Sequence, residues 1–289
     1  MSETIMVSEV YERPLISHEI PVALISDHQD CISDYMYVLL HKAMEDPEYL
    51  DAACRYITAG GAVYLDNSCF ELGASLDNHL LYEYFQKIQP DVVILPDVLG
   101  DRKTTMERTL AFIKEYPDTI NFAMAVAQGE TQDEMIECYK EMIAFRDDDG
   151  NPFAMIGIPF VYRWLPRDPT VQAQGRIDLL DRMVKENVID TNVKHHLLGT
   201  WQAREFAEYA RKGYRWVFSV DTSNPIMATI DGDTYGSQGL IYKPKATFDK
   251  VYHLQESDID MDLLYHNVIM FRNIVSGDYI KYEGEVNGN

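Results

Sequence analysis

A single rhythm constrains this chain more than any other feature. Short runs of β-branched and apolar residues recur along its whole length, at residues 22–26, 62–66, 92–97, 122–128, 154–160, 196–199, 216–221 and 239–243. Between them, apolar residues fall at helical spacing: Tyr35, Leu39, Ala43 and Met44; Leu80, Tyr84, Phe85 and Ile88; Met106, Leu110 and Ile113; Met135, Cys138, Tyr139 and Met142; Phe206, Tyr209 and Ala210. Near-continuous apolar strands are what a parallel sheet covered on both faces requires, and the intervals approach the roughly 30 residues of a βαβ unit. Eight such units predict an α/β fold of the (β/α)8 TIM-barrel type. An open doubly wound sheet is the alternative, but no GxGxxG opens a helix after a strand. No linker divides the chain, so we expect a single domain with its core at about residues 20–275, a solvated acidic turn at 147–152 and a frayed tail at 282–289.

The 289 residues are 46% hydrophobic and carry a formal charge of −22, which excludes a disordered chain and predicts a self-repelling surface. The charge is unevenly spread: residues 1–159 sum to −19, 160–215 to +3 and 216–289 to −6. An acidic protein is poorly suited to phosphate, so any nucleic-acid docking is expected on the one net-positive stretch. Cys31, Cys54, Cys69 and Cys138 form no CxxC pair, which argues against disulfides and against a cysteine zinc site. No HExxH or comparable spacing is present, and neither a metal nor a cofactor is expected. With no long apolar run and an acidic N-terminal segment, the expected location is the cytoplasm, or the host's cytoplasm if a phage encodes the chain.

The active site of such a barrel lies at the C-terminal ends of its strands. Here the second, third, fourth and seventh runs end in Asp66, Asp97, Gln128 and Asp221, while Gly157 and Gly199 stand in the fifth and sixth. Singly, each has an ordinary explanation: an aspartate after a strand caps a helix, a Gln-Gly pair turns, a glycine packs. Jointly they place three carboxylates, an amide and two close-approach positions around one mouth.

The segments Leu65-Asp66-Asn67-Ser68-Cys69-Phe70, Pro96-Asp97, Val126-Ala127-Gln128-Gly129, Ile156-Gly157, Leu197-Leu198-Gly199 and Val220-Asp221 resemble, in order and in placement, the motifs of the tRNA-guanine transglycosylase superfamily. The resemblance runs from about Val22 to Lys245. It departs from the tRNA-acting members, whose cysteine and histidine zinc site is missing. It is nearer the shorter phage-type branch, the DNA 7-deazaguanine transglycosylases. The family's Ser-Gly-Gly after the first aspartate is here Asn67-Ser68-Cys69, and its paired glycine after the glutamine is Gly129-Glu130.

The resemblance implies a pentosyltransferase that exchanges guanine in DNA for a 7-deazaguanine such as preQ0, by double displacement at C1′. Asp221 would be the nucleophile and Asp66 the acid/base, as the paired carboxylates of retaining glycosidases are used. Asp97 would accept from the donor edge of guanine, Gln128 and the Gly157 N–H would face its O6, Phe70 and Leu198 would sandwich the ring, and Gly199 would let the base approach. Arg163, Trp164 and Arg167 after the fifth run, with Lys194 and His196, are the expected nucleic-acid contacts, and a basic partner protein would help the acidic chain reach DNA. Against this stand the same chemistry on tRNA, a catalytically silent barrel that binds a partner, and an unrelated barrel hydrolase.

Overall fold

The computed structural model describes residues 13–160, 172–240 and 242–278. Eight strands pair in parallel in one sheet: β1 (Leu15–Ser17), β2 (Met36–Leu39), β3 (Val63–Asp66), β4 (Val92–Ile94), β5 (Ala123–Val126), β6 (Met155–Pro159), β7 (Lys194–Leu198) and β8 (Val217–Asp221). Their order, β1-β8-β7-β6-β5-β4-β3-β2, returns the last strand to the first. Each is followed by helix: α1 (Val22–Ile32), α2 (Leu40–Glu45) and α3 (Pro47–Thr58), α4 (Cys69–Leu72) and α5 (Asn78–Ile88), α6 (Arg102–Glu115), α7 (Gln132–Ala144), α8 (Gln174–Lys185), α9 (Arg204–Lys212), then α10 (Asn224–Asp231), α11 (Phe248–Val251) and α12 (Met261–Ser276). This is a single-domain (β/α)8 barrel.

The seam between β1 and β2 is closed by Asp34. Its N–H donates to the Ile16 carbonyl at 2.7 Å, its Oδ2 accepts from the Ile16 N–H at 2.8 Å, and Ser17 Oγ donates to the Tyr35 carbonyl at 2.7 Å. Arg13 in turn donates from Nη2 to Asp34 Oδ1 at 3.0 Å. Helix starts follow the chemistry of the loops: Asp46, Asp77, Asp101, Thr131 and Asp260 each accept a backbone N–H from the first turn of α3, α5, α6, α7 and α12.

Eight strands are present, but not the eight runs read from the sequence. Residues 22–26 lie in α1, where Leu24, Ile25, Gln29 and Ile32 form the buried face behind Pro21; a short apolar run cannot by itself distinguish strand from buried helix. Of residues 239–243, the described ones form no strand, and Gly239 makes only an isolated bridge with Gly236. In their place stand β1, which begins before the expected core boundary, and β2, where Met36-Tyr37-Val38-Leu39 is extended rather than helical. Among the described residues no helix is long and apolar enough to cross a membrane.

Strand periodicity sorts two packed layers. Tyr37, Leu39, Tyr64, Val92, Ile94, Met124, Val126 and Met155 fill the barrel, whereas Val38, Leu65, Val93, Ala125, Ile156, Leu197 and Val220 face the helices. The same alternation turns the last inward position of β3 to Asp66 and that of β8 to Asp221. Hydrophobic filling thus ends where the polar strand ends begin.

Candidate active site

Asp221 closes β8 and is oriented from β7. His196 Nε2 meets its Oδ1 at 2.9 Å, and the Gly199 N–H donates to the same oxygen at 3.0 Å. Gly199 reaches that position with φ of 58°, a left-handed conformation that glycine adopts without steric cost. The other oxygen, Oδ2, takes no hydrogen bond among the described residues, and the side chain is 9% exposed. His196 is itself fixed by Ser219 Oγ at Nδ1, 2.8 Å away, and its ring stacks on Tyr37 with edges to Tyr35 and Tyr64. If Ser219 donates to Nδ1, Nε2 carries the proton that Asp221 accepts.

Asp66 closes β3 in a different environment. Tyr37 Oη donates to Oδ1 at 2.9 Å and the Ser68 N–H to Oδ2 at 2.7 Å. Burial, followed by the charge of Glu71, pushes its carboxyl well above the usual carboxylate range despite those two donors. Ser68 occupies the left-handed region at φ 60°, and its Oγ accepts the His41 N–H at 3.1 Å and meets His41 Nδ1 at 2.9 Å. A non-glycine residue in that region costs about 1–2 kcal/mol, so the His41 contacts hold the turn that aims its N–H at Asp66.

Asp97 and Gln128, from the loops after β4 and β5, are bonded to each other: Gln128 Nε2 donates to Asp97 Oδ2 at 2.7 Å. Asn67 Nδ2 donates to the other oxygen at 3.0 Å. Both amides are locked from behind, since Cys69 N–H donates to Asn67 Oδ1 at 2.8 Å and Gly100 N–H to Gln128 Oε1 at 2.9 Å. Burial raises the Asp97 carboxyl, partly opposed by its Asn67 and Gln128 donors. Burial pushes the adjoining Cys69 thiol up to about 12 and the Cys138 thiol up to about 11, which disfavours their thiolates.

Two acids outside the sequence motifs complete the mouth. Glu19, just past β1, has an Oε2 that is buried without a partner among the described residues, and burial with the charges of Asp221, Glu71 and Asp66 raises its carboxyl well above the ordinary range. Glu71 on α4 is raised too, by desolvation and by Asp221 and Asp249. Among the described residues no three histidine, cysteine or acidic side chains are placed to hold a metal ion.

The structure redistributes the other expected residues. His196 is 0% exposed inside the barrel and cannot meet a phosphate; its place is against Asp221. Lys194 begins β7, at the end of the barrel opposite the mouth, with Nζ 4.6 Å from the Phe218 ring centroid. Gly157 lies in the middle of β6, where an added Cβ would stand 2.7 Å from Leu198 Cδ1, so its absent side chain makes room for Leu198 inside the barrel. Phe70 is 75% exposed on α4, on the rim, and does not share a buried slot with Leu198. Arg163, Trp164 and Arg167 lie outside the described residues. A cavity of about 720 Å³ opens beside the mouth, lined by Arg102, Lys103, Glu107, Glu130, Glu134 and Glu141 among others. Arg102 pairs with Glu141 and Lys103 with Glu107, and none of Asp66, Asp97, Gln128 and Asp221 lines it, so it is a groove between α6 and α7.

Sequence reasoning missed Tyr37 because β2 was read as helix, and Glu19 because β1 was not seen. It missed the partnership of His196 with Asp221 although the signal was there: a histidine at an inward strand position two residues before Leu198. No protein-family model matches the chain, and no curated protein matches it.

Proposed function

We propose that the protein is a pentosyltransferase that exchanges guanine in DNA for a 7-deazaguanine base such as preQ0. The observation that carries this reading is the contrast between two strand-end carboxylates at one mouth. Asp221 is held by two donors on one oxygen and leaves the other unpartnered among the described residues, while burial biases Asp66 toward its protonated form. A buried carboxyl biased toward its protonated form suits an acid, and a carboxylate oxygen oriented without a partner among the described residues suits a nucleophile.

In this reading Asp221 Oδ2 attacks C1′ on the face opposite the base. The C1′–N9 bond breaks with its electron pair going to guanine, and Asp66 gives guanine the proton it takes up. The ionised Asp66 then removes the N9 proton of the incoming deazaguanine, N9 attacks C1′, and the ester bond to Asp221 breaks to restore the carboxylate. Tyr37 Oη donates to Asp66 as carboxylate and accepts from it as acid, so one hydroxyl serves both halves. Asp97 is the acceptor for the N1–H and exocyclic amine of guanine, with the remaining N–H of Gln128 available to O6.

DNA rather than tRNA is supported by the resemblance to the shorter phage-type branch, and the docking contacts proposed are Arg163, Trp164 and Arg167. The test is incubation of the purified chain with radiolabelled guanine and either duplex DNA or unmodified tRNA, followed by chase with preQ0. Label should enter DNA and be displaced by preQ0. Label entering tRNA alone would move the reaction to RNA, and label entering neither polymer would sink the proposal.

A further inference from the structure

Arg176 on α8 is a cation with no exposure at all, and its partner Glu205 on α9 is equally buried. A pair so deeply desolvated is a poor source of stability, since apolar residues of similar volume serve as well or better, so its retention calls for another reason. The guanidinium donates not only to Glu205. Nη1 donates to the carbonyls of Ile158 at 3.1 Å and Leu198 at 2.8 Å, and Nη2 to that of Gly199 at 2.8 Å. Tyr209 Oη donates to Glu205 Oε2 at 3.3 Å, and the Phe160 ring lies 5.2 Å from the guanidinium carbon. These three carbonyls belong to the next-to-last residue of β6, the last of β7 and the first residue beyond β7.

Gly199 is therefore held at both ends of its peptide groups: its carbonyl by Arg176, its N–H on Asp221 Oδ1. Its left-handed φ is available to glycine but not imposed by it, because glycine visits many other conformations as readily. Something outside the residue must select this one. The only side chain that bonds the Gly199 carbonyl is Arg176, among the described residues. We propose that the buried Arg176–Glu205 pair is the positioning element of the site, fixing the Gly199 N–H so that one oxygen of Asp221 is occupied and the other is presented to substrate. The inference rests on the reading of Asp221 as the nucleophile for its catalytic consequence, but not for its structural one. Lysine cannot substitute, because one ammonium with three donors cannot span three carbonyls and a carboxylate as the planar guanidinium does.

The experiment uses the full chain and two variants: Arg176→Lys, and the double variant Arg176→Met with Glu205→Leu, which removes both charges together and is chosen to keep the barrel folded. Amide hydrogen exchange by NMR reads Gly199 and the β6 amides directly, and single-turnover guanine exchange reads the consequence. The expected result is that Gly199 N–H exchange accelerates at least tenfold in both variants while the amides within β6 keep their protection. The single-turnover rate should fall at least tenfold with little change in the KM for the base. Wild-type protection of Gly199 in a folded double variant would overturn the proposal. If the double variant does not fold, unchanged Gly199 exchange and turnover in Arg176→Lys overturns it equally. A wild-type chain with no exchange activity would remove the proposed reaction but leave the Gly199 amide measurement as a test of the pair.

Discussion

Replacing Asp97 by asparagine changes a single oxygen to NH2, and the surrounding bonds show what that must cost. Asp97 accepts from two amide NH2 groups, Asn67 at Oδ1 and Gln128 at Oδ2. Whichever way the new amide is turned, its own NH2 meets one of them, donor against donor. Neither neighbour can flip to offer its oxygen: Asn67 Oδ1 is engaged by the Cys69 N–H and Gln128 Oε1 by the Gly100 N–H, so a flip only moves the conflict to the backbone. Removing one buried hydrogen bond and leaving its donor unpaired costs about 1–3 kcal/mol. At about 2–4 °C per kcal/mol for a chain of this size, Tm falls by about 2–12 °C, short of unfolding the barrel. For the reaction, guanine loses an acceptor for one of its donors, and the same 1–3 kcal/mol lowers kcat/KM by about 5- to 160-fold. Calorimetry and guanine-exchange kinetics on the same preparation check both numbers. A Tm unchanged within a degree would refute the donor conflict, and the expected Tm drop with unchanged kcat/KM would refute Asp97 as the reader of the base.

Asp221→Asn keeps an acceptor for His196 and Gly199 and should melt close to wild type, yet exchange should drop to background and no covalent DNA adduct should form on denaturing gels; near-normal turnover excludes Asp221 as nucleophile. His196→Phe preserves the stack on Tyr37 but removes a hydrogen bond to a carboxylate worth about 1.5–3 kcal/mol, so single-turnover exchange should slow by about 10- to 160-fold, and an unaffected rate would show that His196 does not orient Asp221. Glu19 has its pKa raised by burial first and by Asp221, Glu71 and Asp66 after it, so the folded chain binds its proton more tightly than the unfolded one. The stability it contributes is full below the unfolded value of about 4.3 and is lost as pH rises through the folded pKa; Glu19→Gln should therefore gain on wild type in urea unfolding as pH is raised, and a pH-independent difference would contradict this. Arg163→Ala and Arg167→Ala should each reduce the salt slope of DNA binding by about one for every phosphate no longer neutralised, and unchanged slopes in filter binding would move the docking surface elsewhere.

The barrel was legible because α5, α6, α7 and α9 are marked by helical spacing and six strands by apolar runs; the count of eight held because the two false runs, 22–26 and 239–243, offset the two missed strands, β1 and β2. The misreadings share a cause. Strands of three or four residues, such as Leu15–Ser17 and Met36–Leu39, are too short for periodicity to identify, and Val22 to Ile25 reads the same in a buried helix as in a buried strand. Asp66, Asp97, Gln128 and Asp221 could be named because strand ends are where a barrel puts polar groups. What they bond to could not, because Tyr37, His196 and Gly100 reach them from the neighbouring βα units, and pairing between units is set by register and not by local sequence. Phe70 illustrates the converse: its motif position suggested a buried wall, but the short α4 carries it out to solvent.

Four departures from ordinary folding rules meet near the two strand-end carboxylates, although others, the left-handed Gln89 and Asn187 among them, lie elsewhere. A carboxyl raised by burial at Asp66, another at Glu19 with a buried oxygen lacking a partner among the described residues, a serine held in the left-handed region at Ser68, and a desolvated ion pair at Arg176 and Glu205 all lie at or just behind the C-terminal ends of the strands. Each costs stability that an apolar or glycine substitute would restore. At the opposite end Lys194 merely covers Phe218, as a surface lysine does. Four such costs beside two carboxylates of unlike environment support the proposed transfer reaction over a passive binding scaffold. In the proposed reaction burial raises the Asp66 acid, the Ser68 N–H and Tyr37 hydroxyl oppose that rise and stabilise Asp66 once it has given up its proton, and Arg176 holds the Gly199 peptide whose N–H meets Asp221.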